Sequence, residues 1–253
     1  MGYTIAITGK GGTGKTTIAG LIVTGLMAKG RTPVLAVDAD PNSCLDGVLG
    51  VAARSTVGSV REEARDRSSS GALAGMARTE WLDLRIAGSL VEADGFDLIA
   101  MGRPEGPGCY CYANNVLRDV LARLAANYPY TVIDNEAGLE NLSRRIVQSV
   151  DLLVLTGDPS KRGLETVRRL YGLAMEMKIS YKKLAIMINR LRNDSTPPDL
   201  GRLRADVPAD CVLTLPDDPE LAGLAERGGP MGELSRTNPV AAAVDAFVGE
   251  IVQ

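Results

Sequence analysis

Nine residues near the start of the chain, residues 9–17, constrain its fold more than any others; their sequence is GKGGTGKTT. They follow an apolar segment, residues 3–8, that is predicted as a strand, and they open a predicted helix that ends near Lys29. Glycine lets the backbone curl tightly enough for several N–H groups to point inward, and a helix N-terminus adds partial positive charge. The spacing fits the phosphate-binding pattern G-x-x-x-x-G-K-[ST], so the sequence predicts a nucleotide site in a strand–loop–helix unit.

Each residue type in this loop has an expected task. The Lys15 ammonium would neutralise the β- and γ-phosphates, and the Thr16 hydroxyl would bind Mg²⁺. The backbone N–H groups would cradle the phosphate oxygens. The residues expected to contact the nucleotide are Gly9, Gly11, Gly12, Thr13, Gly14, Lys15, Thr16 and Thr17. A purely structural glycine-rich turn is the alternative, which the position between a strand and a helix disfavours.

A second lysine, Lys10, stands directly after the first glycine of the motif. With this lysine the sequence GKGGTGKT resembles the deviant P-loop family, which includes the cell-division ATPase MinD, the ParA partition ATPases, the arsenite-pump ATPase and the nitrogenase iron protein. The resemblance implies a homodimer driven by ATP binding and hydrolysis to ADP. It also implies that Lys10 acts in catalysis by reaching the phosphates of the partner's nucleotide, whereas Lys15 contacts those of its own chain.

Two aspartates end the next predicted strand, residues 34–37, at the edge where open α/β sheets bind ligands. They are Asp38 and Asp40 in the sequence Asp-Ala-Asp. By resemblance, Asp40 lies in the first switch region and positions or activates the attacking water, which makes it a catalytic residue. Asp38 could equally cap the turn that follows the strand.

A third aspartate, Asp134, follows the apolar segment 130–133, and Gly138 stands four residues after it. The spacing is that of the second switch region in P-loop proteins. Asp134 would hold Mg²⁺ through water, and the backbone N–H of Gly138 would meet the γ-phosphate. Glu136 stands inside this segment where the family often has glycine, and it could perturb phosphate sensing.

Asn189 ends the predicted strand at residues 184–188, where P-loop proteins bind the base. Guanine-specific proteins use N-K-x-D, whose aspartate accepts two guanine N–H groups. The corresponding position here is Arg192, which has no acceptor. The sequence therefore favours ATP, and by resemblance Asn189 contacts the adenine. Capping of the strand end is the alternative task for Asn189.

The rest of the chain alternates predicted strands and helices. This order predicts an α/β fold: a single P-loop NTPase domain, residues 1–253, with a mostly parallel twisted sheet and helices on both faces. Residues 53–95 are longer than one crossover needs and predict an insertion, which includes a helix at residues 79–93. The insertion could serve as a partner surface.

Composition argues against several classes of partner. The net charge is −3 and no run of five basic residues occurs, which disfavours binding to nucleic acid or anionic lipid. No apolar stretch reaches the ~20 residues needed to span a bilayer. The N-terminus enters the first predicted strand without a signal sequence. We therefore expect a cytoplasmic protein with no nucleic-acid and no membrane partner.

Cys109 and Cys111 form a C-x-C pair in a loop rich in glycine and proline. Side chains two apart in an extended segment project to the same side, so the two thiolates could chelate one soft metal ion. The chain has no histidine, and a symmetric dimer would complete four ligands by presenting the same loop twice. Coincidental packing is the alternative for this pair. Cys44 is expected to be packed rather than reactive.

The deviant P-loop, the C-x-C pair and the D-x-x-A-G segment together resemble the CooC-type ATPases, which handle nickel in the maturation of carbon monoxide dehydrogenase. The resemblance implies Ni²⁺ (or Zn²⁺) bound by Cys109 and Cys111 across the dimer. It implies carbon monoxide dehydrogenase or acetyl-CoA synthase as the client. Two alternatives stay open: a carrier of an iron–sulfur cluster on the same thiolates, and a MinD/ParA-like positioning ATPase without a metal.

Overall fold

One eight-stranded sheet forms the centre of the fold. The computed structural model describes residues 2–42, 44–69, 78–102, 122–138, 149–192, 196–197 and 199–252. The strands are β1 (Tyr3–Gly9), β2 (Val34–Ala39), β3 (Val91–Glu92), β4 (Phe96–Ala100), β5 (Tyr130–Asn135), β6 (Ser149–Gly157), β7 (Ser180–Leu191) and β8 (Cys211–Pro216). They lie in the order β3-β4-β2-β5-β1-β6-β7-β8, and every neighbouring pair except β3–β4 is parallel.

Helices cover both faces of this sheet. Their bounds are α1 (Lys15–Ala28), α2 (Leu45–Leu49), α3 (Val57–Ser69), α4 (Arg78–Ala87), α5 (Lys161–Glu176), α6 (Leu200–Asp206), α7 (Pro219–Glu226) and α8 (Pro239–Ile251). One face packs against α1, α7 and α8, and the other packs against α3 to α6. Because both faces are covered, the central strands are apolar almost throughout, and every residue of β2 is buried.

The register of the parallel strands brings predicted site residues to one edge of the sheet. In β1, Ile7 lies beside Asp134 of β5, and Gly9 lies beside Thr156 of β6. Asp38 of β2 also lies beside Asp134. Since these residues stand at the carboxyl ends of parallel strands, the site forms where the strands end and the loops begin.

The structure confirms the α/β prediction of a mostly parallel sheet with helices on both faces. The predicted helix at residues 79–93 was wrong in its second half. Helix α4 ends at Ala87, the Gly88 N–H still bonds to the Leu84 carbonyl, and the chain then turns into β3. β3 pairs antiparallel with β4 across a turn that contains Gly95 at φ 81°. No helix in the described part of the chain combines the length and apolar character needed to cross a membrane.

Candidate nucleotide site

The glycine-rich loop joins the end of β1 to the start of α1. Gly12 and Gly14 adopt left-handed backbone conformations, with φ of 80° and 88°. A Cβ on Gly14 would lie 2.4 Å from the Nδ2 atom of Asn189, so only glycine fits there without a shift. The loop therefore has the curled backbone expected of a phosphate cradle, and α1 begins at Lys15 directly behind it.

Hydrogen bonds within the loop converge on one carbonyl group, that of Lys10. The Thr13 hydroxyl donates to it at 2.8 Å, and the Thr13 backbone N–H approaches it at 3.4 Å. The Lys15 Nζ atom lies 3.5 Å from the same oxygen. This carbonyl fixes the shape of the loop, and the ammonium of Lys15 is held beside it.

The two lysines of the motif occupy different environments. The Lys15 side chain is only 7% exposed, at the N-terminus of α1, whereas Lys10 is exposed. A cation buried beside the loop suits contact with phosphates bound by the same chain. An exposed cation suits contact with a second molecule. The separate tasks that the resemblance implies for the two residues stay predictions.

Asp38 holds the loop that follows β2. Its side chain is fully buried; its Oδ1 atom accepts the Asp40 N–H at 3.1 Å and its Oδ2 atom accepts the Leu45 N–H at 2.9 Å. Burial raises the pKa of Asp38 to about 6, while the Leu45 and Asp40 N–H groups oppose that rise. Asp38 therefore caps the turn that follows β2, which is the alternative that the sequence left open for it.

Asp40 is oriented by the turn after it. Its Oδ1 atom accepts both the backbone N–H of Asn42 at 2.8 Å and the Asn42 side-chain amide at 3.0 Å. Its carboxylate is close enough to Asp134 to disfavour ionisation there. Asp40 therefore stands at the mouth of the predicted Mg²⁺ site, and its action on water stays a prediction.

Asp134 is the most strongly perturbed carboxyl group of the site. It is 1% exposed, and its Oδ1 atom has no hydrogen-bond partner among the described residues. Burial raises its pKa to about 7; the charges of Asp38 and Asp40 add to the rise, and Thr16 and Lys15 oppose it. A buried carboxylate oxygen without a partner, beside a hydroxyl group and two further carboxylates, is an environment that a cation would stabilise.

The residues at this edge fit Mg²⁺. Thr16 and Asp134 would hold the ion, and the ion would neutralise charge on the phosphates when bound. Mg²⁺ keeps several water ligands and needs only one or two protein groups. The fit is therefore compatible with the finding that the described residues contain no cluster of three or more acidic or cysteine side chains placed to hold a metal.

The second switch segment is tied to β1. The Gly138 N–H donates to the Gly9 carbonyl at 2.9 Å, and the Thr8 hydroxyl donates to the Gly138 carbonyl at 2.6 Å. The Asn135 side chain donates to the Ile7 carbonyl at 2.9 Å. The N–H that is predicted to meet the γ-phosphate thus bonds to the P-loop in this structure, and contact with phosphate requires that it exchange partners.

A cavity of about 470 Å³ opens beside the loop, between the first turn of α1, the ends of β7 and β8, and helix α7. Asn189 stands at its inner end, where its Nδ2 atom donates to the Thr13 carbonyl at 3.0 Å and its Oδ1 atom accepts the Arg190 N–H at 3.0 Å. These bonds fix the strand end to the P-loop, so contact of Asn189 with adenine stays a prediction. Arg192 lines the cavity and pairs with Asp217 at 3.4 Å.

A sequence model of the AAA domain matches residues 2–186 of the chain. The chain belongs to the AAA domain family. It is 38% identical to the ATP-binding protein MJ0685 of Methanocaldococcus jannaschii over 98% of both chains. It is 31% identical to the carbon monoxide dehydrogenase accessory protein CooC of Rhodospirillum rubrum, over 88% of this chain and 87% of CooC.

The fold of this AAA-domain protein is that of MinD. The structure of MinD from Pyrococcus horikoshii OT3 in complex with Mg-ADP superposes with a TM-score of 0.70 at 21% identity, over 99% of this chain and 96% of MinD. Together with the P-loop geometry, the family match confirms the prediction of a P-loop ATPase. The protein hydrolyses ATP.

Several site residues of this ATPase were missed by sequence reasoning. Thr156 and Thr8 bond to the P-loop and to the second switch segment. Asp218, at the rim of the cavity, accepts the Leu221 N–H at 2.8 Å and the Asn238 side-chain amide at 2.8 Å. Asp218 followed by Pro219 is a helix-start signal that could have predicted α7. The threonines carry no comparable signal.

The predictions for the cysteines have different outcomes. Cys109 and Cys111, predicted as metal ligands, lie outside the described residues. The prediction that Cys44 is packed was wrong: Cys44 is exposed at the start of α2. Partial burial and four nearby carboxylates, from Asp38 to Asp134, raise the pKa of its thiol. Cys211 is half-buried in β8.

We expect Asp134→Asn to be more stable than the native protein at pH 8 without nucleotide or Mg²⁺. Burial raises the pKa of Asp134 from 3.8 to about 7, so the folded state favours the protonated carboxyl group. Below pH 4 the group is protonated in both states and folding carries no ionisation penalty. As the pH rises through 7 the buried group must ionise, and the stability of the folded state falls by the full penalty. The shift corresponds to about 4 kcal/mol at most. A neutral asparagine avoids this loss.

Thermal unfolding of both proteins at pH 8 and pH 4.5 checks this expectation. The gain in melting temperature should be several times larger at pH 8 than at pH 4.5, and adding Mg·ATP should stabilise the native protein more than the variant, which lacks one group that would hold Mg²⁺. An equal gain at both pH values would show that the carboxylate charge is not the cause.

Proposed function

We propose that this ATPase is a dimeric metallochaperone that binds Ni²⁺ at the Cys109-x-Cys111 pair and helps insert it into carbon monoxide dehydrogenase or acetyl-CoA synthase. The observation that carries the proposal is the C-x-C pair in a chain that is 31% identical to CooC over most of its length. Neither feature alone is sufficient. Together they indicate an ATPase in which two thiols of each chain bind a metal ion.

The nucleotide half of the proposed mechanism rests on the buried groups at the carboxyl edge of the sheet. Lys15 neutralises the phosphates from inside its own chain, and Thr16 and Asp134 hold the cation. Asp40, fixed by its bonds from Asn42, orients the attacking water. Lys10, exposed on the loop, reaches the nucleotide of the partner chain. Hydrolysis therefore requires the paired state.

The metal-binding half of the proposed mechanism rests on the two-fold symmetry of the dimer. Two thiolates leave a four-coordinate ion half bound, and a two-fold dimer brings Cys109 and Cys111 together with the same two residues of the second chain. An ion held by both chains favours the dimer, as does the nucleotide. ATP hydrolysis to ADP would loosen the pair and release the ion to the client.

A second candidate is a positioning ATPase without a metal, and the observation that favours it is the MinD fold at a TM-score of 0.70. An iron–sulfur carrier on the same four thiolates is the third. The metal that binds and its stoichiometry separate the three functions, since the positioning ATPase needs none and an iron–sulfur protein is brown when purified.

Nickel titration of anaerobically purified native protein tests the proposal. We expect one tightly bound Ni²⁺ per two chains, with a rise in the mass measured by light scattering as the ion binds. Zn²⁺ should bind in the same ratio because thiolate sites accept both ions. A colourless protein that binds neither ion, yet still hydrolyses ATP, would exclude both metal-binding functions and favour the positioning ATPase. A brown protein whose bound iron is lost in Cys109→Ser would exclude the nickel chaperone and favour the iron–sulfur carrier.

A further inference from the structure

Thr156, at the end of β6, stands next to the P-loop although it is 143 residues from Thr13 in sequence. We propose that its hydroxyl group is a positioning residue for Lys10, acting through Thr13. The proposal deepens the proposed function, since it rests on the role of Lys10 at the partner's nucleotide. It assigns to β6 a task in turnover that neither the P-loop motif nor the family match contains.

A row of two buried hydroxyl groups leads from β6 to Lys10. The Oγ1 atoms of Thr156 and Thr13 are 2.8 Å apart, and the Thr13 Oγ1 atom is 2.8 Å from the Lys10 carbonyl oxygen. Thr156 is fully buried and Thr13 is 3% exposed. Water is therefore largely excluded from both bonds, which makes them sensitive to the loss of either hydroxyl.

The number of protons available shows which group donates at each contact in the row. Each hydroxyl has one proton to donate. Thr13 donates to the Lys10 carbonyl, so it accepts from Thr156 at their 2.8 Å contact. The alternative acceptor for Thr156 is the Thr8 carbonyl at 3.2 Å, which is the longer contact. The order is thus Thr156 to Thr13 to Lys10, with every proton used.

The row begins on a central strand of the sheet and ends in an exposed loop. β6 lies between β1 and β7, and its residue Thr156 pairs in register with Gly9. A Cβ on Gly9 would lie 2.0 Å from the Thr156 hydroxyl oxygen, so strands β1 and β6 are in close contact where the loop begins. Lys10 is exposed, and the row fixes its peptide group from behind.

This arrangement separates Lys10 from Lys15. The backbone of Lys15 takes its position from the first turn of α1, and among the described residues the only link from its side chain to the hydroxyl row is the long 3.5 Å contact of Nζ with the Lys10 carbonyl oxygen. Its contact with phosphate therefore depends much less on the row than that of Lys10 does. Lys10 lies in the loop, and the direction of its side chain follows from the orientation of its own peptide. Loss of the row therefore impairs the step that uses Lys10 and spares nucleotide binding within one chain.

Replacing Thr156 with valine removes the hydroxyl and keeps the shape. We expect Thr156→Val to lower the kcat for ATP about fivefold, the effect of one lost buried hydrogen bond, and to leave Mg·ATP affinity within about twofold. Thr156→Ser should restore kcat. The matched control is Thr131→Val: Thr131 is 2% exposed in β5, and its hydroxyl has no partner among the described residues. This control should leave both constants unchanged.

A double-mutant cycle with Lys10→Ala shows whether Thr156 acts through Lys10. If it does, Thr156→Val has no further effect on kcat once Lys10 is alanine. Additive losses, a loss of affinity equal to the loss of kcat, or full activity in Thr156→Val would each overturn the positioning role while leaving the role of Lys10 intact. Full activity in Lys10→Ala alone would instead overturn the proposed role of Lys10 and this inference together, while the proposal of a metal site at Cys109 and Cys111 would still stand.

Discussion

Lys15→Ala is expected to abolish measurable ATP binding, whereas Lys10→Ala is expected to bind Mg·ATP almost as tightly as the native protein. Lys15 is a buried cation at the N-terminus of α1 beside the loop. Contacts with charged groups contribute ~1.5–3 kcal/mol each, and Lys15 is predicted to contact two phosphates, so its loss should weaken binding by more than about 100-fold. Lys10 is exposed, and exposed substitutions usually change free energies by no more than about 0.5 kcal/mol.

The loss in Lys10→Ala should appear where two chains are needed. We expect slower turnover and weaker self-association with Mg·ATP, measured by phosphate release and by light scattering. Calorimetric titration with Mg·ATP gives the affinity of each variant. Lys182→Ala is a matched control for the removal of a positive charge, because Lys182 is 80% exposed near the start of β7, at the other edge of the sheet.

The two lysine variants also separate cis from trans contacts. Equal loss of Mg·ATP affinity in both would mean that Lys10 touches the nucleotide of its own chain. Normal turnover in Lys10→Ala would mean that the exposed lysine has no part in hydrolysis. In either case the resemblance to the deviant P-loop family would not extend to the function of this residue.

The parts of the site that sequence predicts are those whose residues are neighbours along the chain. Residues 9–17 contain the glycines, Lys15 and Thr16 in one motif, and the structure places this motif from the last residue of β1 to the first turn of α1, as expected. Asp38 and Asp134 end apolar strands, and their adjacency follows once β2 and β5 pair in parallel. The pattern predicts each strand end, and the sheet order brings the ends together.

The parts that sequence did not predict depend on contacts between distant segments. Thr156 bonds to Thr13 only because β1 lies between β5 and β6, an order that no local pattern encodes. The bond between Asn238 and Asp218 joins the start of α8 to the start of α7 in the same way. Hydroxyl and amide side chains also occur on most surfaces, so their type alone does not distinguish a site.

Local signals were ambiguous at two other places. Helix α4 and strand β3 were predicted as one helix because Gly88 is tolerated within helical patterns, and the pairing of Val91 with Leu98 is a tertiary contact. Cys44 was predicted as packed because free cysteine is among the most buried residue types. It precedes α2 as the cap residue, which places it at the surface beside the aspartates of the site.

Replacing one cysteine of the C-x-C pair is expected to remove nickel binding almost entirely. If one ion is shared by Cys109 and Cys111 of two chains, Cys109→Ser removes two of four thiolates, because symmetry doubles every substitution. Changes in groups that only support metal ligands already cost about 10- to 100-fold in affinity, so the loss of two ligands should exceed that range. Cys111→Ser should behave in the same way.

Two matched controls come from the same chain. Cys44→Ser and Cys211→Ser each remove one thiol outside the pair, and both should retain one Ni²⁺ per two chains. Mg·ATP affinity should be unchanged in Cys109→Ser, since the nucleotide groups lie at the carboxyl edge of the sheet and include no cysteine of the pair. Nickel titration combined with light scattering measures affinity, stoichiometry and pairing in one series.

The coupling between metal and pairing makes the shared site testable without a structure of the dimer. An ion that binds only paired chains must promote pairing by mass action, so native protein should associate more tightly as Ni²⁺ is added and Cys109→Ser should not. The concentration dependence of nickel binding should show the same linkage. One tightly held ion per chain, or full nickel affinity in Cys109→Ser, would exclude the shared thiolate site and leave either another ligand set or an ATPase that carries no metal.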